Sequence, residues 1–298
     1  MGKATMSKIS SSPRTLRSLL ARGKIVAAPG VYDALSALIA EQAGFEALYL
    51  TGNGQASSMI GMPDVGLITL TEMADRVRAI RAITSAALIA DADVGYGSLL
   101  NVRRAIRELE AAGASAIQLE DQASPKKCGH EPGRNVVSIT EMSQRLNAAC
   151  EGRRHDDTLI IARTDARTTL GLPEAISRGR AYAKAGADII FVESPETEAE
   201  LREVASSHDV PTLANMVETG RTPYLSAQAL GEMGFAVAIY PASGFLAATH
   251  AVRATMDQLK RFGRVEDLSG LASLAEYHKI LGFDVYAELE TTLGRTGE

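Results

Sequence analysis

Short apolar runs, each followed by a longer amphipathic segment, recur along most of the chain. The apolar runs are mostly continuous rather than alternating, which is typical of parallel strands that are covered on both faces. The amphipathic segments predict helices, for example over 101–112, 172–185 and 197–207. The apolar runs predict eight strands, at residues 25–28, 47–51, 87–90, 116–119, 159–162, 189–192, 212–214 and 236–240.

A glycine stands just before four of the predicted strands, at Gly44, Gly113, Gly186 and Gly234. Glycine commonly ends a helix in the left-handed conformation and turns the chain into the next element. Alternating strands and helices indicate a parallel α/β fold. Because eight such units follow one another without a linker, we expect a single (β/α)8 TIM-type barrel domain over residues 1–298 rather than a doubly wound sheet.

The chain continues well beyond the eighth predicted strand. Residues 245–262 predict a helix and 271–293 are mostly helical in pattern, so the part from about 265 to 298 exceeds what a barrel needs. This C-terminal helical extension either packs on its own barrel or forms an arm that packs on a neighbouring subunit. The residues alone leave both arrangements open.

Length and charge narrow the class of protein. The chain has 298 residues, and a barrel needs about 250. Its formal net charge of −5 argues against nucleic acid and anionic membranes as partners, although local cations can still bind a small anion. No run approaches the roughly 20 apolar residues that span a bilayer. With only two cysteines there is no disulfide framework, which favours a cytoplasmic protein.

Acidic residues follow the third and fourth predicted strands. Asp91 and Asp93 come after the third strand, Glu120 comes after the fourth, and Asp64 lies in a loop that could join them. Parallel barrels place their active sites at these strand ends. Carboxylates gathered there repel one another unless a cation lies among them, and oxygen ligands suit Mg²⁺, with Mn²⁺ as the alternative ion. Each carboxylate alone could instead cap a helix or pair with Arg163.

Polar groups also stand at the other strand ends. A glycine-rich run begins at Thr51, and its backbone N–H groups could approach an anion, although it could equally be an ordinary tight turn. Arg163 has the planar guanidinium that matches a carboxylate. The predicted substrate-binding residues are Tyr49, Thr51, Gly52, Asn53, Arg163, Glu193 and Asn215.

A thiol lies among cations in the run Lys126-Lys127-Cys128-Gly129-His130. Neighbouring Lys and His side chains favour the thiolate, so Cys128 is a candidate for exchanging a proton with a carbon acid. The two lysines could instead be solvated charges. Cys150 lies on an apolar helical face, where we expect a core or surface thiol. Zinc is disfavoured because no Cys/His ligand spacing occurs.

Several of these runs resemble motifs of the isocitrate lyase/phosphoenolpyruvate mutase superfamily. The resemblance covers about residues 28–241 and lies in Asp91-Ala92-Asp93 with Gly95-Tyr96-Gly97, Leu119-Glu120-Asp121-Gln122, 126–130 and Ala162-Arg163-Thr164-Asp165-Ala166. Lyases of the superfamily carry a Lys-x-Cys-Gly-His loop as here, whereas its mutases and related hydrolases have an Asn-containing loop. Asn215-Met216-Val217-Glu218 stands where isocitrate lyases proper have a more polar segment, which disfavours isocitrate. The branch that the chain resembles most comprises 2,3-dimethylmalate lyase, petal death protein and methylisocitrate lyase.

The resemblance implies a barrel whose eighth helix is swapped between subunits, in a homotetramer built as a dimer of helix-swapped dimers. It implies Mg²⁺-dependent retro-aldol cleavage of a small 2-hydroxy dicarboxylate, of the 2,3-dimethylmalate or 2-alkylmalate type, to a 2-oxo acid such as pyruvate and a carboxylic acid. The alternatives are cleavage of the tricarboxylate 2-methylisocitrate, and hydrolysis or decarboxylation of oxaloacetate on the same scaffold. A non-catalytic barrel is a further alternative.

The resemblance also implies a role for each candidate residue. Asp91 would bind Mg²⁺ directly, while Asp64, Asp93 and Glu120 would bind it through water. Cys128 would protonate the carbanion that cleavage leaves. The predicted catalytic residues are Cys128, His130, Lys126 and Arg163, of which His130 and Lys126 would stabilise the product carboxylate or tune the thiol. Candidates for the pocket that receives the substrate's alkyl group are Phe191, Leu213 and Met216.

Overall fold

The computed structural model describes residues 13–127 and 134–295. The chain divides into two compact units, one of which is Pro13–Phe245 and carries the barrel. The described residues of the other unit are 246–295. We refer to them as the barrel unit and the C-terminal unit.

Eight parallel strands form a closed barrel in chain order, and the eighth pairs with the first. This confirms the predicted (β/α)8 TIM-type fold. The strands are β1 Val26–Val31, β2 Ala47–Leu50, β3 Ala87–Asp91, β4 Ala116–Glu120, β5 Leu159–Thr164, β6 Ile189–Val192, β7 Thr212–Asn215 and β8 Val237–Tyr240. Several strands extend past their apolar runs, so that Asp91, Glu120, Arg163 and Asn215 lie within strands rather than after them.

The strands bury both of their faces, which explains why their apolar runs are continuous. One cluster of buried side chains fills the barrel interior and includes Tyr49, Ile89, Ile161 and Phe191. A second cluster lies between the strands and the surrounding helices. It includes strand residues that neighbour the interior ones in sequence, such as Leu48 beside Tyr49. Since successive side chains of a strand point to opposite faces, a polar residue two positions after an interior one also points into the barrel.

In residues 13–127 and 134–236, ten α-helices precede the eighth strand. They are α1 Leu16–Leu20, α2 Ala34–Gln42, α3 Gly52–Gln55, α4 Leu70–Arg81, α5 Leu99–Ala112, α6 Ile139–Gly152, α7 Arg167–Leu170, α8 Leu172–Lys184, α9 Glu198–Ser206 and α10 Ala227–Met233. A π-helical turn, Ala56–Ile60, continues α3. The four glycines expected to end helices all have positive φ, between 98° at Gly44 and 106° at Gly234, which confirms that prediction.

The C-terminal unit is helical, as predicted. Helix α11, Ser243–Phe262, begins in the last residues of the barrel unit and continues into the C-terminal unit. A 3-10 turn covers Leu268–Gly270, and α12 Leu274–Leu281 and α13 Phe283–Arg295 follow. Neither α11 nor α12 contains a buried residue. Many of their apolar side chains are exposed, including Val252, Met256 and Leu274. Exposed apolar side chains on amphipathic helices are typical of surfaces that pack against another chain. Among the described residues, no helix has the length and apolar character needed to cross a membrane.

The close packing of α5 on α6 depends on Gly152. A Cβ at this position would lie 2.6 Å from the backbone carbonyl oxygen of Arg103, which cannot move without shifting α5. We expect Gly152→Ala to lower the free energy of unfolding by about 1–3 kcal/mol, as overpacking commonly does. The matched control is Gly294→Ala, where a Cβ would meet nothing within 4 Å. Urea denaturation would measure both variants, and equal stabilities would contradict this account of the helix contact.

Candidate active site

The acidic residues predicted at the third and fourth strand ends come together in the barrel mouth. Asp91 ends β3 and is 7% exposed, Asp93 is 9% exposed, and Glu120 ends β4 and is 2% exposed. Asp64 approaches from the loop after the π-helical turn, and the Lys126 Nζ lies 2.6 Å from its Oδ1 and 2.5 Å from the Asp93 Oδ1. The structure therefore gathers these carboxylates around an ammonium group of the chain itself.

The loop after β3 is strained. Asp93 and Tyr96 have φ of 48° and 62°, in the left-handed region that residues other than glycine rarely adopt. Gly95 and Gly97 between and beside them also have positive φ. Such conformations cost about 1–3 kcal/mol each and persist where the surrounding structure imposes them. The Asp93 N–H donates a hydrogen bond of 3.1 Å to the Asp91 Oδ1, which holds this loop against the end of β3.

The carboxylate cluster is arranged for a cation held partly through water. Among residues 13–127 and 134–295, no group of three Asp, Glu, His or Cys side chains is close enough to ligate one metal ion directly. Mg²⁺ takes few protein ligands and keeps several waters, so it does not require such a group. The Glu120 Oε1 is buried without a hydrogen-bond partner and is free to accept from a water. The donor set therefore fits Mg²⁺.

The pKa values in the cluster reflect an excess of buried negative charge. Burial raises the pKa of Asp93 to about 7, because Asp91 and Asp64 add to the burial effect and outweigh the opposing effect of Lys126. Burial also holds the pKa of Glu120 well above its usual range, despite the nearby Arg163 and Lys126. Burial alone would lower the pKa of Lys126, but Asp93, Glu120 and Asp64 raise it, so this lysine is charged.

Tyr49 lies below the mouth and supports the cluster indirectly. Its side chain is 3% exposed within the barrel interior, and its hydroxyl donates to the Gln118 Oε1 at 3.1 Å. The Gln118 Nε2 in turn donates to the Asp91 Oδ1 at 3.2 Å. The contact of Tyr49 with substrate stays a prediction. Gln118 was not among the predicted site residues, although its polar side chain, two residues before Glu120 on an otherwise apolar strand, indicates that it points into the barrel as Glu120 does.

The glycine-rich run after β2 forms the start of a helix. Thr51 caps α3, and its Oγ1 accepts a hydrogen bond of 3.4 Å from the Gly54 N–H. The first N–H groups of a helix have no partner within it and can face an anion. A Cβ on Gly52 would lie only 2.9 Å from the Asp91 Oδ2, so this turn lies directly against the carboxylate cluster. Asn53 follows within the same short helix.

Arg163 lies at the other side of the cluster, in β5. Its Nε donates to the Asp165 Oδ2 and its Nη2 to the Asp165 Oδ1, both at 2.9 Å. Its guanidinium also lies 3.3 Å from the Glu193 Oε2 and 3.5 Å from the Glu120 Oε2. The Phe191 ring lies beneath it, with its centroid 5.2 Å from the Arg163 Cζ. The guanidinium is therefore held firmly on two sides.

Asn215 completes this side of the mouth. Its Nδ2 donates to the Glu193 Oε2 at 3.1 Å, and its Oδ1 is buried without a hydrogen-bond partner. The structure thus brings Arg163, Glu193 and Asn215 together, as the strand positions predicted. An unpartnered buried acceptor beside an arginine is available for a hydroxyl group of a substrate.

The remaining predicted residues divide into two groups. Cys128 and His130 lie outside the described residues. Lys126, which we expected near the thiol, contacts the carboxylates. Phe191 and Leu213 belong to the barrel interior, whereas Met216 belongs to the cluster between strands and helices. The expectation that Met216 lines the pocket is wrong, because it lies one position beyond Asn215, where the alternation of faces directs it outward.

Comparison with known proteins agrees with this arrangement. The family described as phosphoenolpyruvate phosphomutase matches residues 16–260. The chain is 46% identical over 274 residues to the 2,3-dimethylmalate lyase of Eubacterium barkeri, covering 88% of this chain and 95% of that protein. The chain belongs to the phosphoenolpyruvate mutase/isocitrate lyase superfamily. It is an enzyme, and these relatives are named as lyases.

Other members of the superfamily show its range. A 2-methylisocitrate lyase of Aeropyrum pernix is 42% identical over 284 residues, which cover 95% of this chain and 91% of that one. A solved structure of oxaloacetate acetylhydrolase with the inhibitor 3,3-difluorooxalacetate has a TM-score of 0.89 at 34% identity and covers 94% of this chain and 96% of its own. A solved structure of phosphonopyruvate hydrolase in complex with oxalate and Mg²⁺ has a TM-score of 0.82 at 32% identity. The match covers 93% of this chain and 96% of the hydrolase chain.

The affinity of the carboxylate cluster for a divalent cation should rise with pH. Asp93 holds a proton below its raised pKa of about 7, and a neutral carboxyl is a poor ligand. Because Asp93 changes from mostly protonated to mostly ionised across this range, we expect the Mn²⁺ dissociation constant to fall about tenfold between pH 6 and pH 8. Electron paramagnetic resonance without substrate would measure it.

Two variants locate the origin of this pH dependence. Asp93→Asn should bind Mn²⁺ weakly at both pH values, whereas Asp75→Asn, at an exposed position on α4, should behave as the native chain does. Equal dissociation constants at pH 6 and pH 8 in the native chain would contradict the role given to Asp93.

Proposed function

We propose that the protein is a Mg²⁺-dependent carbon–carbon lyase that cleaves a 2-hydroxy dicarboxylate, of the 2,3-dimethylmalate or 2-alkylmalate type, to a 2-oxo acid and a carboxylic acid. One observation carries this proposal: the buried carboxylate cluster of β3 and β4 lies directly beside Arg163 of β5, whose Nε is 3.5 Å from the Glu120 Oε2. A cation site next to an arginine suits the hydroxyl and carboxylate groups that a 2-hydroxy acid presents together. The identity of 46% with 2,3-dimethylmalate lyase supports the choice of substrate.

Asp91 would hold Mg²⁺ directly, with Asp64, Asp93 and Glu120 holding it through water. When bound, Mg²⁺ supplies positive charge that lowers the pKa of the substrate's hydroxyl group and stabilises the oxygen of the oxo acid product. Its presence in a phosphonopyruvate hydrolase of the same superfamily supports this assignment. Mn²⁺, which accepts the same oxygen ligands, is the expected substitute.

The chain's own groups would hold the substrate on both sides. The Arg163 guanidinium and the backbone N–H of Gly52, at the start of α3, would bind the carboxylate of the oxo acid half, because both present donors to an anion. The Asn215 Oδ1 would accept a hydrogen bond from the substrate, and Glu193 would keep the Asn215 amide oriented through its 3.1 Å contact. Phe191 and Leu213, within the apolar barrel interior, would limit access of water from below.

The proton transfers account for both products. The substrate's hydroxyl loses its proton to solvent water, which returns a proton to the Cys128 thiolate at the end of the cycle. The bond between C2 and C3 breaks, and its electron pair moves into the second carboxylate as a stabilised carbanion. The Cys128 thiol then donates a proton to this carbon. His130 and Lys126 would stabilise the carboxylate or tune the thiol, and in the described part of the chain Lys126 lies within reach of the same cluster.

Replacing Cys128 tests the proposed proton donor. General acid catalysis contributes about 10²–10⁴ in rate, so Cys128→Ser should lower kcat by at least about 10² without weakening Mn²⁺ binding. The matched control is Cys150→Ser on α6, where the thiol is half-buried and its Sγ lies 3.4 Å from the Gly186 carbonyl oxygen. Cys150→Ser should retain native turnover. Native turnover in Cys128→Ser would remove this thiol from the mechanism.

A substrate survey tests the proposed reaction itself. Purified protein with Mg²⁺ should release pyruvate from 2,3-dimethylmalate, or from a 2-alkylmalate the 2-oxo acid that keeps its alkyl group, with a higher kcat/KM than it releases pyruvate from 2-methylisocitrate, and EDTA should abolish the release. Coupled lactate dehydrogenase would measure it. Preference for 2-methylisocitrate would favour the reaction named for the Aeropyrum pernix relative. Preferential production of oxalate or pyruvate from oxaloacetate would favour hydrolysis or decarboxylation instead, and no turnover of any of these compounds would overturn the proposal.

We further propose that the C-terminal unit packs on a second copy of the chain, in a homotetramer with swapped eighth helices. The exposed apolar side chains of α11 to α13 support this, among them Leu274 at 75% and Tyr286 at 63%. Leu274→Glu combined with Tyr286→Glu should dissociate the assembly, because each charge would have to be buried in an apolar contact. Light scattering after gel filtration would show the loss. Glu288→Gln, a polar exchange on α13, is the control, and an unchanged mass in the double variant would contradict the proposal.

A further inference from the structure

Arg134 shares a fully buried carboxylate with Arg163. The Asp165 side chain is completely buried, and its Oδ1 accepts hydrogen bonds from both the Arg163 Nη2 and the Arg134 Nη1. Arg134 itself is 1% exposed, and its Nη2 donates to the Thr168 Oγ1 at 2.7 Å. Two guanidinium groups therefore compete for one carboxylate oxygen inside the protein.

Arg134 is costly to keep for stability alone. Its Nε is buried without a hydrogen-bond partner, and an unsatisfied buried donor costs about 1–3 kcal/mol. Burying a further charge adds a desolvation penalty, so an apolar side chain of similar volume is often as stabilising. A function beyond packing accounts for this arginine better than stability does.

The charges around Arg163 indicate what that function is. Three buried carboxylates surround the Arg163 guanidinium, those of Asp165, Glu193 and Glu120. These carboxylates weaken the attraction of the Arg163 guanidinium for an anionic ligand. Asp165 binds the Arg163 guanidinium through both of its carboxylate oxygens, and Arg134 contacts one of these oxygens. Arg134 therefore adds a positive charge next to Asp165, although it does not itself lie at the end of a strand.

The position of Asp165 is independently fixed. Its backbone N–H donates to the Asp121 Oδ1 at 2.9 Å, and the Asp121 Oδ2 accepts from the Thr164 hydroxyl and the Tyr182 hydroxyl, both at 2.7 Å. Asp165 therefore cannot shift freely towards either arginine. Removing Arg134 would leave Asp165 in place, with its full negative charge directed at Arg163.

We propose that Arg134 is a positioning residue that acts through Asp165: it offsets the charge of this carboxylate and thereby leaves Arg163 able to bind the carboxylate of an anionic substrate. This inference rests on the proposed role of Arg163 in binding substrate. Arg134 does not touch the substrate, and its effect is electrostatic, so its charge matters more than its hydrogen-bond geometry. Its loss should raise KM more than it lowers kcat.

Oxalate affinity in the presence of Mg²⁺ tests the inference. We expect Arg134→Gln to weaken oxalate binding about tenfold, an effect in the range of a unit charge acting across a few ångströms of protein. Arg134→Lys, which keeps the charge but loses the forked geometry, should bind within about threefold of the native chain. Calorimetry would measure binding, and thermal unfolding would show whether each variant is folded.

The control variants separate the possible failures. Arg153→Gln removes a partly buried arginine that pairs with Asp188 at 2.7 Å near the opposite ends of the strands, and it should bind oxalate as the native chain does. Arg163→Lys should bind oxalate far more weakly. If Arg163→Lys binds normally, the proposed function of that residue fails. If only Arg163→Lys is impaired, or if Arg134→Lys is as weak as folded Arg134→Gln, the role given to the Arg134 charge is overturned.

Discussion

An excess of buried negative charge at one edge of the barrel governs the site. Asp91, Asp93 and Glu120 are each less than a tenth exposed, and the cations that the barrel places among them are Lys126 and Arg163. Carboxylates in such a setting resist ionisation, and the raised pKa of Asp93 and of Glu120 reflects this. A divalent cation relieves the same repulsion. The stability that the apolar interior supplies therefore supports an unfavourable arrangement of buried charges, which a bound divalent cation would relieve further than Lys126 and Arg163 do.

Contacts within the barrel hold the carboxylates of this site in place, so that they cannot move apart to reduce their repulsion. Below the mouth, Gln118 connects the Tyr49 hydroxyl to Asp91, so the carboxylate has a fixed neighbour inside the barrel. Beside it, the absence of a side chain at Gly52 allows the start of α3 to approach the same carboxylate. The strained loop at Asp93 adds a further constraint. Each feature costs stability or restricts sequence, which is typical of sites whose geometry matters more than their own stability.

The sequence could predict the barrel because its signals are local and repeated. Eight apolar runs and the glycines at Gly44 and Gly113 each report on a few neighbouring residues, and the closed order then follows from their number. Strand-end positions likewise predicted that Arg163, Glu193 and Asn215 meet. Contacts between side chains far apart in the chain were not predictable. These include Lys126 with Asp64, the support of Asp91 by Gln118, and the sharing of Asp165 by two arginines. Met216 was misplaced because the sequence alone did not show which side chains at the end of β7 point into the barrel.

The central claim is that the carboxylate cluster and Arg163 form one site that binds a cation and a 2-oxo acid together. Thermodynamic coupling between Mg²⁺ and oxalate, a stable mimic of the 2-oxo acid product, tests it most directly. We expect Mg²⁺ to tighten oxalate binding at least about tenfold, and oxalate to tighten Mg²⁺ binding by the same factor, as linkage requires. Calorimetric titration of each ligand with and without the other would measure both factors. Oxalate binding that is unaffected by Mg²⁺ would contradict the claim.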